Sequence, residues 1–229
     1  MNQEPMISKE KVIQKGAEAT LYYGHWFDRE VIFKQRISKK YRIKEIDKRI
    51  RAIRTLNEAR ALIKVKNYGI NVPIVYEIDY SNSTIIMSHI TGDKLKNLLR
   101  ILDKSLIVKY MSKIGVFTAR LHIKGHIHGD ITTSNIIITK NRQLFFIDFG
   151  LHEYSDSVED KSVDLHLFKR VLMSSHGDIY KLCFESFLEG YESEYIQNTQ
   201  AKKSECQEIF NNFKIIETRG RYVKKEDRQ

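Results

Sequence analysis

The feature that most constrains the fold of this chain lies between residues 126 and 150. Asn135 follows Asp130 by five residues, and a hairpin pattern then leads to Asp148, the first residue of an Asp-Phe-Gly sequence. Hard oxygen ligands of this kind suit a magnesium ion, and a further carboxylate suits phosphoryl transfer. Because Asp and Asn also favour ordinary turns, the alternative is that these residues only shape loops.

The surrounding sequence predicts an α+β protein. Before residue 90, β-branched and aromatic runs separated by turn residues predict about five antiparallel strands and one long helix, from Ile43 to Lys66. This helix is predicted to be amphipathic with its arginines on the outer side, from apolar residues Ile46, Ile50, Ile53, Leu56 and Leu62. After Gly92 the pattern is mainly helical, apart from a hairpin over 135–147. The helices predicted there are Ser105–Lys124, Val163–Ser174, Ile179–Glu189 and Ala201–Phe213.

The length of 229 residues allows one or two domains with a sizeable core. We expect a first domain over 1–90, a second over 91–218 and a basic tail over 219–229. No stretch approaches the roughly 18 uninterrupted apolar residues of a membrane helix, and the N-terminus lacks the layout of a signal peptide. We therefore expect a soluble protein without membrane contact, cytoplasmic and with access to the nucleus. Cys183 and Cys206 are too few for a disulfide framework or a zinc site, so reduced thiols without an assigned role are expected.

Positive charge is concentrated in one window of the sequence. The net charge is +10, and residues 34–66 hold thirteen Lys or Arg against three Asp or Glu, which accounts for the whole excess. A smaller basic cluster closes the chain after Arg219. Such a field attracts nucleic acid, but a solvated helix face or a seat for an acidic protein partner explains it equally well.

The spacing of the two aspartates and the asparagine resembles that of the eukaryotic-type protein kinase fold. This resemblance implies a bilobal architecture, with a small antiparallel-sheet N-lobe, one long helix and a reduced, mainly helical C-lobe. The fold places a lysine on its third strand and pairs it with a glutamate of the following helix. Lys34 and Glu58, 24 residues apart, match these positions. The alternatives are that Lys34 is one more member of the basic cluster and that Glu58 forms a local helix ion pair with Arg54.

The resemblance implies a site for ATP and Mg²⁺. Lys34, held by Glu58, would bind the α- and β-phosphates. Asp130 would orient the attacking hydroxyl or water, and Asn135 and Asp148 would hold magnesium. The loop over the phosphates keeps only its middle glycine, so we expect a less flexible loop than usual. The nucleotide contacts that the resemblance implies are Ile13, Gly16, Ala17, Glu18, Ala19, Leu21, Met87, Ser88, Ile90 and Ile137. For the apolar members, ordinary core positions are the alternative.

Three departures from the kinase pattern narrow the function. Gly129 stands where many kinases carry the arginine that pairs with a phosphorylated loop, so we expect that switch to be absent. No Ala-Pro-Glu sequence follows Gly150, and thirteen residues separate it from Asp164, so a platform for a peptide substrate is missing or minimal. Asp164 resembles the aspartate that braces the catalytic loop of kinases, although a simple charge at a helix N-terminus is the alternative.

Five segments together resemble the PRPK family, the atypical kinase subunit of the KEOPS complex. They are Gly16–Ala19, Thr55–Arg60, His128–Asn135, Ile147–Leu151 and Glu159–Leu165. The Thr-Thr-Ser triplet that ends before Asn135 is the most specific element, because RIO kinases, the nearest look-alikes, usually show a different triplet there. The resemblance runs from about Val12 to Arg221, although the basic run usually expected after Arg221 has changed.

This resemblance implies an ATP-hydrolysing, kinase-like switch that acts with an actin-like subunit making threonylcarbamoyladenosine in tRNA, and with other KEOPS subunits. The basic helix and the C-terminal tail would then contact tRNA. Two alternatives use the same residues: an independent protein serine/threonine kinase and a RIO-like kinase in ribosome assembly. A third, from another class, is a non-catalytic tRNA-binding scaffold, and the intact metal ligands argue against it.

Overall fold

The computed structural model describes residues 6–197 and 200–226, and it divides the chain into two compact units. The first unit comprises Met1–Thr91 and Phe145–Gly150, and the second comprises Gly92–Leu144 and Leu151–Gln229. The α+β class is confirmed, with an antiparallel sheet in the first unit and mainly helices in the second. The six residues of 145–150, which we expected in the second domain, belong to the first unit.

Five antiparallel strands form the sheet of the first unit in the spatial order β1-β2-β3-β5-β4. They are β1 (Ile7–Lys15), β2 (Ala19–Trp26), β3 (Arg29–Arg36), β4 (Val75–Asp79) and β5 (Thr84–Ser88). Leu21 pairs with Lys34, and Lys34 pairs with Ile85. Because side chains alternate between the two faces of a strand, these three residues share one face of the sheet.

The opposite face of this sheet carries a core of its own. Val31, Phe33 and Ile86 are buried there, and Tyr22, Trp26 and Tyr76 pack against them. The rings of Trp26 and Tyr76 stack with their centroids 5.3 Å apart. Apolar burial on this side holds the strands together, whereas the other face combines apolar residues with the polar Lys34.

The inward face of the long helix α1 (Lys44–Lys66) matches the predicted one only in part, since Leu62 is buried as predicted. Ile46 and Ile53 are 52% and 41% exposed, so part of the isoleucine stripe faces outward. The buried residues are Asp47, Ala52, Thr55, Glu58, Ala59, Ala61, Leu62 and Val65. Polar residues can face inward here because each buried carboxylate of the helix has a cationic partner, as Asp47 has in Arg51 at 2.7 Å.

The segment 145–150 joins the first unit through two long-range contacts. The Phe146 amide donates to the carbonyl oxygen of Asn71 at 2.9 Å. Further along the segment, Asp148 lies 2.8 Å from the ammonium group of Lys34. A boundary placed by composition alone cannot anticipate such a return of the chain to an earlier unit.

Helices dominate the second unit, and each predicted helix is present with shifted ends. The helices of this unit are α2 (Leu95–Leu98), α3 (Lys104–Ile123), α4 (Val158–Ser175), α5 (Tyr180–Ile196) and α6 (Gln200–Glu226). Short strands accompany them: β6 (Gly92–Lys94), β7 (His126–Ile127), β8 (Ile136–Thr139), β9 (Leu144–Phe146), which passes into the first unit, and β10 (Glu153–Tyr154). Helix α4 begins five residues before the predicted start because the hydroxyl of Ser157 accepts the amide hydrogens of Glu159 and Asp160. The sequence did not predict α2, β6, β7 or β10, which are too short to show a period.

The backbone of the expected C-terminal tail continues helix α6 as far as Glu226, and residues 227–229 lie outside the described residues. Within 6–197 and 200–226, no helix is both long and apolar enough to cross a membrane. Cys183 and Cys206 are buried and reduced. Burial raises the pKa of Cys183 to about 11, and burial with nearby carboxylates raises that of Cys206 to about 12, so both thiols are neutral at physiological pH.

Two glycines allow helices α3 and α5 to approach closely. A Cβ atom on Gly115 would lie 2.0 Å from the carbonyl oxygen of Phe187, and one on Gly190 would lie 2.0 Å from that of Ser112. Neither backbone can yield without moving its helix. The packing of this helix pair therefore depends on hydrogen atoms at both positions.

We expect Gly115→Ala to lower the free energy of unfolding by about 1–3 kcal/mol, because overpacking outweighs the gain in helix propensity. Denaturant unfolding measures this loss. Gly177→Ala is the control, since its Cβ would lie 3.5 Å from Met173, an ordinary contact distance, and should change stability little. Equal stability of both variants would contradict the close packing of α3 and α5.

Candidate active site

In the first unit, two of the predicted site residues surround the ammonium group of a third, Lys34. Lys34 Nζ lies 2.5 Å from Glu58 Oε1 and 2.8 Å from Asp148 Oδ1. The side chains of Lys34 and Glu58 are 8% and 1% exposed, whereas that of Asp148 is 39% exposed. Burial by itself would lower the pKa of Lys34, but the two carboxylates outweigh it and hold this pKa above its ordinary value. Lys34 is therefore a cation throughout the neutral pH range.

The partner of Glu58 is not Arg54, so the alternative of a local helix ion pair is wrong. Arg54 Nη1 instead lies 2.7 Å from Glu18 Oε2. The second oxygen of Glu58 lies 2.6 Å from Arg36 Nη2, a contact that sequence reasoning missed. A signal was present, because Arg36 stands two residues after Lys34 on β3 and must therefore share its face of the sheet.

The Asp-Phe-Gly turn fixes the position of one carboxylate oxygen. The Gly150 amide donates to Asp148 Oδ1 at 2.8 Å, the same oxygen that contacts Lys34. A Cβ on Gly150 would lie 3.1 Å from this oxygen, a closer approach than most real contacts of a Cβ atom show. Phe149 between them is 1% exposed and anchors the turn in the core. Glycine at position 150 thus lets the Asp148 carboxylate lie close to the Gly150 amide.

Two cations tie down the loop of Gly16–Ala19. Lys39 Nζ donates to the carbonyl oxygen of Ala17 at 2.5 Å and lies 3.3 Å from Glu18 Oε1. Arg54 binds the other oxygen of Glu18. Burial would raise the pKa of Glu18, but its hydrogen bond with Lys39 and the charge of Arg54 lower it below the ordinary value. These contacts restrain the loop, and its lower flexibility stays a prediction.

Three of the predicted nucleotide contacts lie on the sheet face that carries Lys34. Leu21 pairs directly with Lys34, and Ala19 lies two residues before Leu21 on β2. Met87 pairs with Ile32 and is 4% exposed. The side chains of Ala19, Leu21 and Met87 therefore share a surface with the buried ammonium group.

The other predicted contacts of the first unit lie at its edges. Ile13 sits at an irregularity of β1 and is 48% exposed. Ser88, at the end of β5, already bonds Ile74 twice: its amide donates to the Ile74 carbonyl at 2.8 Å, and its hydroxyl accepts from the Ile74 amide at 2.9 Å. Ile90 follows β5 and is half-buried. Ser88 therefore braces the residues around Ile74 and does not offer its amide to a ligand.

The second unit holds Asp130 and Asn135 together. Asn135 Nδ2 donates to Asp130 Oδ2 at 2.8 Å and to the Asp130 carbonyl oxygen at 3.1 Å. This arrangement occupies the amide nitrogen and leaves the amide oxygen as the group that a metal ion would take. Ile137, two residues further on in β8, is half-buried.

Asp164 braces the loop that leads to Asp130. It is buried, and its two oxygens accept the amide hydrogens of His128 at 3.1 Å and Gly129 at 3.0 Å. His122 Nε2 lies 3.1 Å from the same carboxylate. Because α4 begins at Val158, Asp164 lies in its second turn, and the alternative of a simple N-terminal charge does not account for these contacts.

The backbone requires glycine at position 129. Its φ is +76°, in the left-handed region, and a Cβ there would lie 2.5 Å from the carbonyl oxygen of Leu151. The backbone geometry therefore explains why position 129 carries glycine and not the arginine of many kinases. No side chain fits this position without a shift of the backbone.

We expect Asp164→Asn to lower the free energy of unfolding by about 3 kcal/mol at pH 7, because a buried, hydrogen-bonded charge is lost. Burial would raise the pKa of Asp164, but the hydrogen bond and charge of His122 lower it below its ordinary 3.8. A depressed pKa gives stability that is present above pH 3.8 and is lost as the pH falls through the folded-state pKa.

The difference in stability between the wild type and Asp164→Asn should therefore narrow below about pH 4. Denaturant unfolding over a pH series measures it. Glu159→Gln, which removes an exposed carboxylate from the same helix, is the control and should cost less than about 1 kcal/mol. A difference that persists undiminished into acid would contradict the role of the ionised carboxylate.

A sheet that carries a lysine paired with a helix glutamate, in a chain whose helical unit braces a loop of Asp and Asn, defines the kinase-like class of proteins. Comparison with known proteins narrows this class. The RIO domain family matches residues 25–161. The KEOPS complex subunit Bud32 of Pyrococcus abyssi (strain GE5 / Orsay) is 42% identical over 218 residues, which are 93% of this chain and 96% of that protein. The chain belongs to the Bud32 family of RIO-domain proteins.

Longer relatives contain a region similar to this chain. The probable bifunctional tRNA threonylcarbamoyladenosine biosynthesis proteins of Methanothermobacter thermautotrophicus and Methanocaldococcus jannaschii are each 40% identical, over 212 and 214 residues. These matches cover 93% of this chain but only 36% and 37% of the two relatives. Membership of the family supports an atypical kinase or ATPase activity, and the predicted resemblance to the kinase subunit of KEOPS is confirmed at the level of family.

Proposed function

We propose that the chain is a Mg-ATP-dependent atypical kinase or ATPase that serves as the KEOPS subunit supporting threonylcarbamoyladenosine modification of tRNA, together with an actin-like partner. The observation that carries the proposal is the buried ammonium group of Lys34 between two carboxylates. The names of the relatives support the rest: one is a KEOPS subunit, and the longer ones are tRNA threonylcarbamoyladenosine biosynthesis proteins.

Each unit offers a group of the kind that a magnesium nucleotide takes. Asp148 offers a carboxylate and Asn135 an amide oxygen, which are the hard ligands that magnesium takes beside phosphate oxygens. When bound, the ion would neutralise charge that develops on the phosphates during transfer. Lys34 stays charged at neutral pH and pairs with Glu58, so it would bind the α- and β-phosphates.

Asp130 would orient the attacking hydroxyl group or water. The side-chain amide of Asn135 fixes its carboxylate, and Asp164 fixes the backbone just before it. Phosphoryl transfer depends mainly on position and charge, so a fixed carboxylate is what the reaction needs from the protein. Loss of such a group costs on the order of a hundredfold in rate or more.

We therefore expect Asp130→Ala and Asp148→Ala each to lower ATP turnover at least about a hundredfold, while the thermal unfolding midpoint stays near the wild-type value. Steady-state phosphate release and calorimetry measure the two quantities. Asp178→Ala, at an exposed aspartate, is the matched control and should keep full turnover. Wild-type turnover in both site variants would defeat the proposal.

The physiological acceptor distinguishes the proposal from an independent protein kinase. Only seven residues, Leu151–Ser157, lie between Gly150 and α4, which leaves little chain to present a peptide. We propose that water or a group of a bound partner receives the phosphoryl group. ATP turnover by the purified protein should rise when tRNA and an actin-like partner are added, whereas rapid phosphorylation of a generic peptide by the protein alone favours the kinase. Cytoplasmic localisation, with access to the nucleus, stays a prediction.

We propose that tRNA contacts the outer face of α1. Arg49 and Arg60 are exposed there, whereas Arg51 and Arg54 are engaged with carboxylates of the protein. Exposed isoleucines on the same face favour a protein partner as the second candidate. The two candidates call for different substitutions.

Arg49→Glu with Arg60→Glu should weaken tRNA binding and reduce its salt dependence by about one in slope for each lost phosphate contact. Filter binding over a salt series measures this. Ile46→Ser with Ile53→Ser is the matched variant and should leave tRNA binding unchanged. Unchanged tRNA binding by the arginine variant would instead assign this face of α1 to a protein partner.

A further inference from the structure

Arg36 is a buried arginine at the end of β3. It is 5% exposed, and its Nη2 lies 2.6 Å from Glu58 Oε2. Lys34 takes the other oxygen of this carboxylate, Oε1, at 2.5 Å. Glu58 is therefore held by two cations, one at each oxygen. A Lys–Glu pair alone would need only the contact with Lys34.

The backbone of Arg36 is fixed as firmly as its side chain. The Arg36 amide donates to the carbonyl oxygen of Ser83 at 3.1 Å, and Arg36 pairs with Ala19 across the sheet. The guanidinium also reaches the carbonyl oxygen of Arg54 at 3.5 Å, one helical turn before Glu58. Arg36 thus joins the end of β3 to two consecutive turns of α1.

Lys34 cannot hold Glu58 by itself in every state of the site. Its ammonium group is shared with Asp148, and a lysine is a flexible point charge that can turn from one anion to another. When phosphates also compete for this group, Glu58 would lose part of its compensation. A planar guanidinium bound to the far oxygen keeps the buried carboxylate paired and oriented.

We propose that Arg36 is a positioning residue for phosphoryl chemistry. By holding Oε2 of Glu58, it keeps Oε1 aligned for Lys34 while Lys34 binds the phosphates. This inference rests on the proposed function, because it takes ATP as the ligand of Lys34. It makes the Lys34–Glu58 pair a permanent part of the site, where kinases that form this pair only on activation use it as a switch.

A direct contact with the nucleotide is the competing role for Arg36. Its Nε atom is buried and, among the described residues, has no hydrogen-bond partner. A residue that acts through Glu58 loses its effect when the Glu58 carboxylate is removed, whereas a residue that touches phosphate keeps its effect. A double-mutant cycle separates the two roles.

The cycle uses the full-length protein with Arg36→Met, Glu58→Gln and the two substitutions combined. Arg36→Met should lower kcat/KM for ATP about tenfold or more. In the Glu58→Gln background the same substitution should change kcat/KM less than about twofold. Equal effects in the two backgrounds would overturn the proposal, since a direct phosphate contact or a general loss of structure acts independently of the carboxylate.

Arg51→Met is the matched control, because Arg51 also pairs with a buried carboxylate of α1, that of Asp47 at 2.7 Å. Without tRNA, it should lower the thermal midpoint by an amount similar to Arg36→Met and keep kcat/KM within about twofold of wild type. A loss as large as that of Arg36→Met would attribute the effect to loosening of α1 and overturn the proposal.

Arg36→Lys keeps the buried charge without the planar fork and serves if Arg36→Met does not fold. It should lower kcat/KM at least about threefold, again only while Glu58 is present. Wild-type kcat/KM for Arg36→Lys would overturn the proposal. If Glu58→Gln itself leaves kcat/KM unchanged, the proposed nucleotide site fails and this inference falls with it. If Glu58→Gln lowers kcat/KM but the cycle shows no coupling, only the inference about Arg36 fails.

Discussion

The carboxylate of Glu58 has almost no access to water, and a charge in that position persists only because cations reach both of its oxygens. Much of the first unit follows from this requirement. The lysine must lie on the adjacent strand, a polar stripe of α1 must face inward, and isoleucines of that helix must then face outward. Glu58 and Asp148 together hold the pKa of Lys34 above its ordinary value.

The second unit uses a buried carboxylate in a related way. Asp164 gathers two backbone amides and a histidine, and so it sets the course of the loop that carries Asp130. In the first unit the carboxylate orders side-chain cations, and in the second it orders backbone donors. In both cases a short polar group deep in the core positions a more accessible residue that would meet the ligand, as Glu58 does for Lys34.

Features with a strong local pattern could be predicted from the sequence. Runs of β-branched and aromatic residues between turns indicated the strands, and spacing indicated Asp130, Asn135 and Asp148. The pairing of Lys34 with Glu58 was implied by the resemblance to the kinase fold. Features that depend on partners distant in sequence could not. Hydropathy places isoleucine inside and arginine outside, so the inward face of α1 and the burial of Arg36 become evident only once the sheet register and the ion pairs are known. Likewise, 145–150 belongs to the first unit through contacts with residues distant in sequence, Asn71 and Lys34.

The left-handed backbone at Gly129 also bears on how this protein can evolve. The space beside its α-carbon is taken by main-chain oxygen, so an arginine at this position requires the backbone of the loop to move as well. A lineage with this geometry has no short mutational route to control by a phosphorylated loop residue.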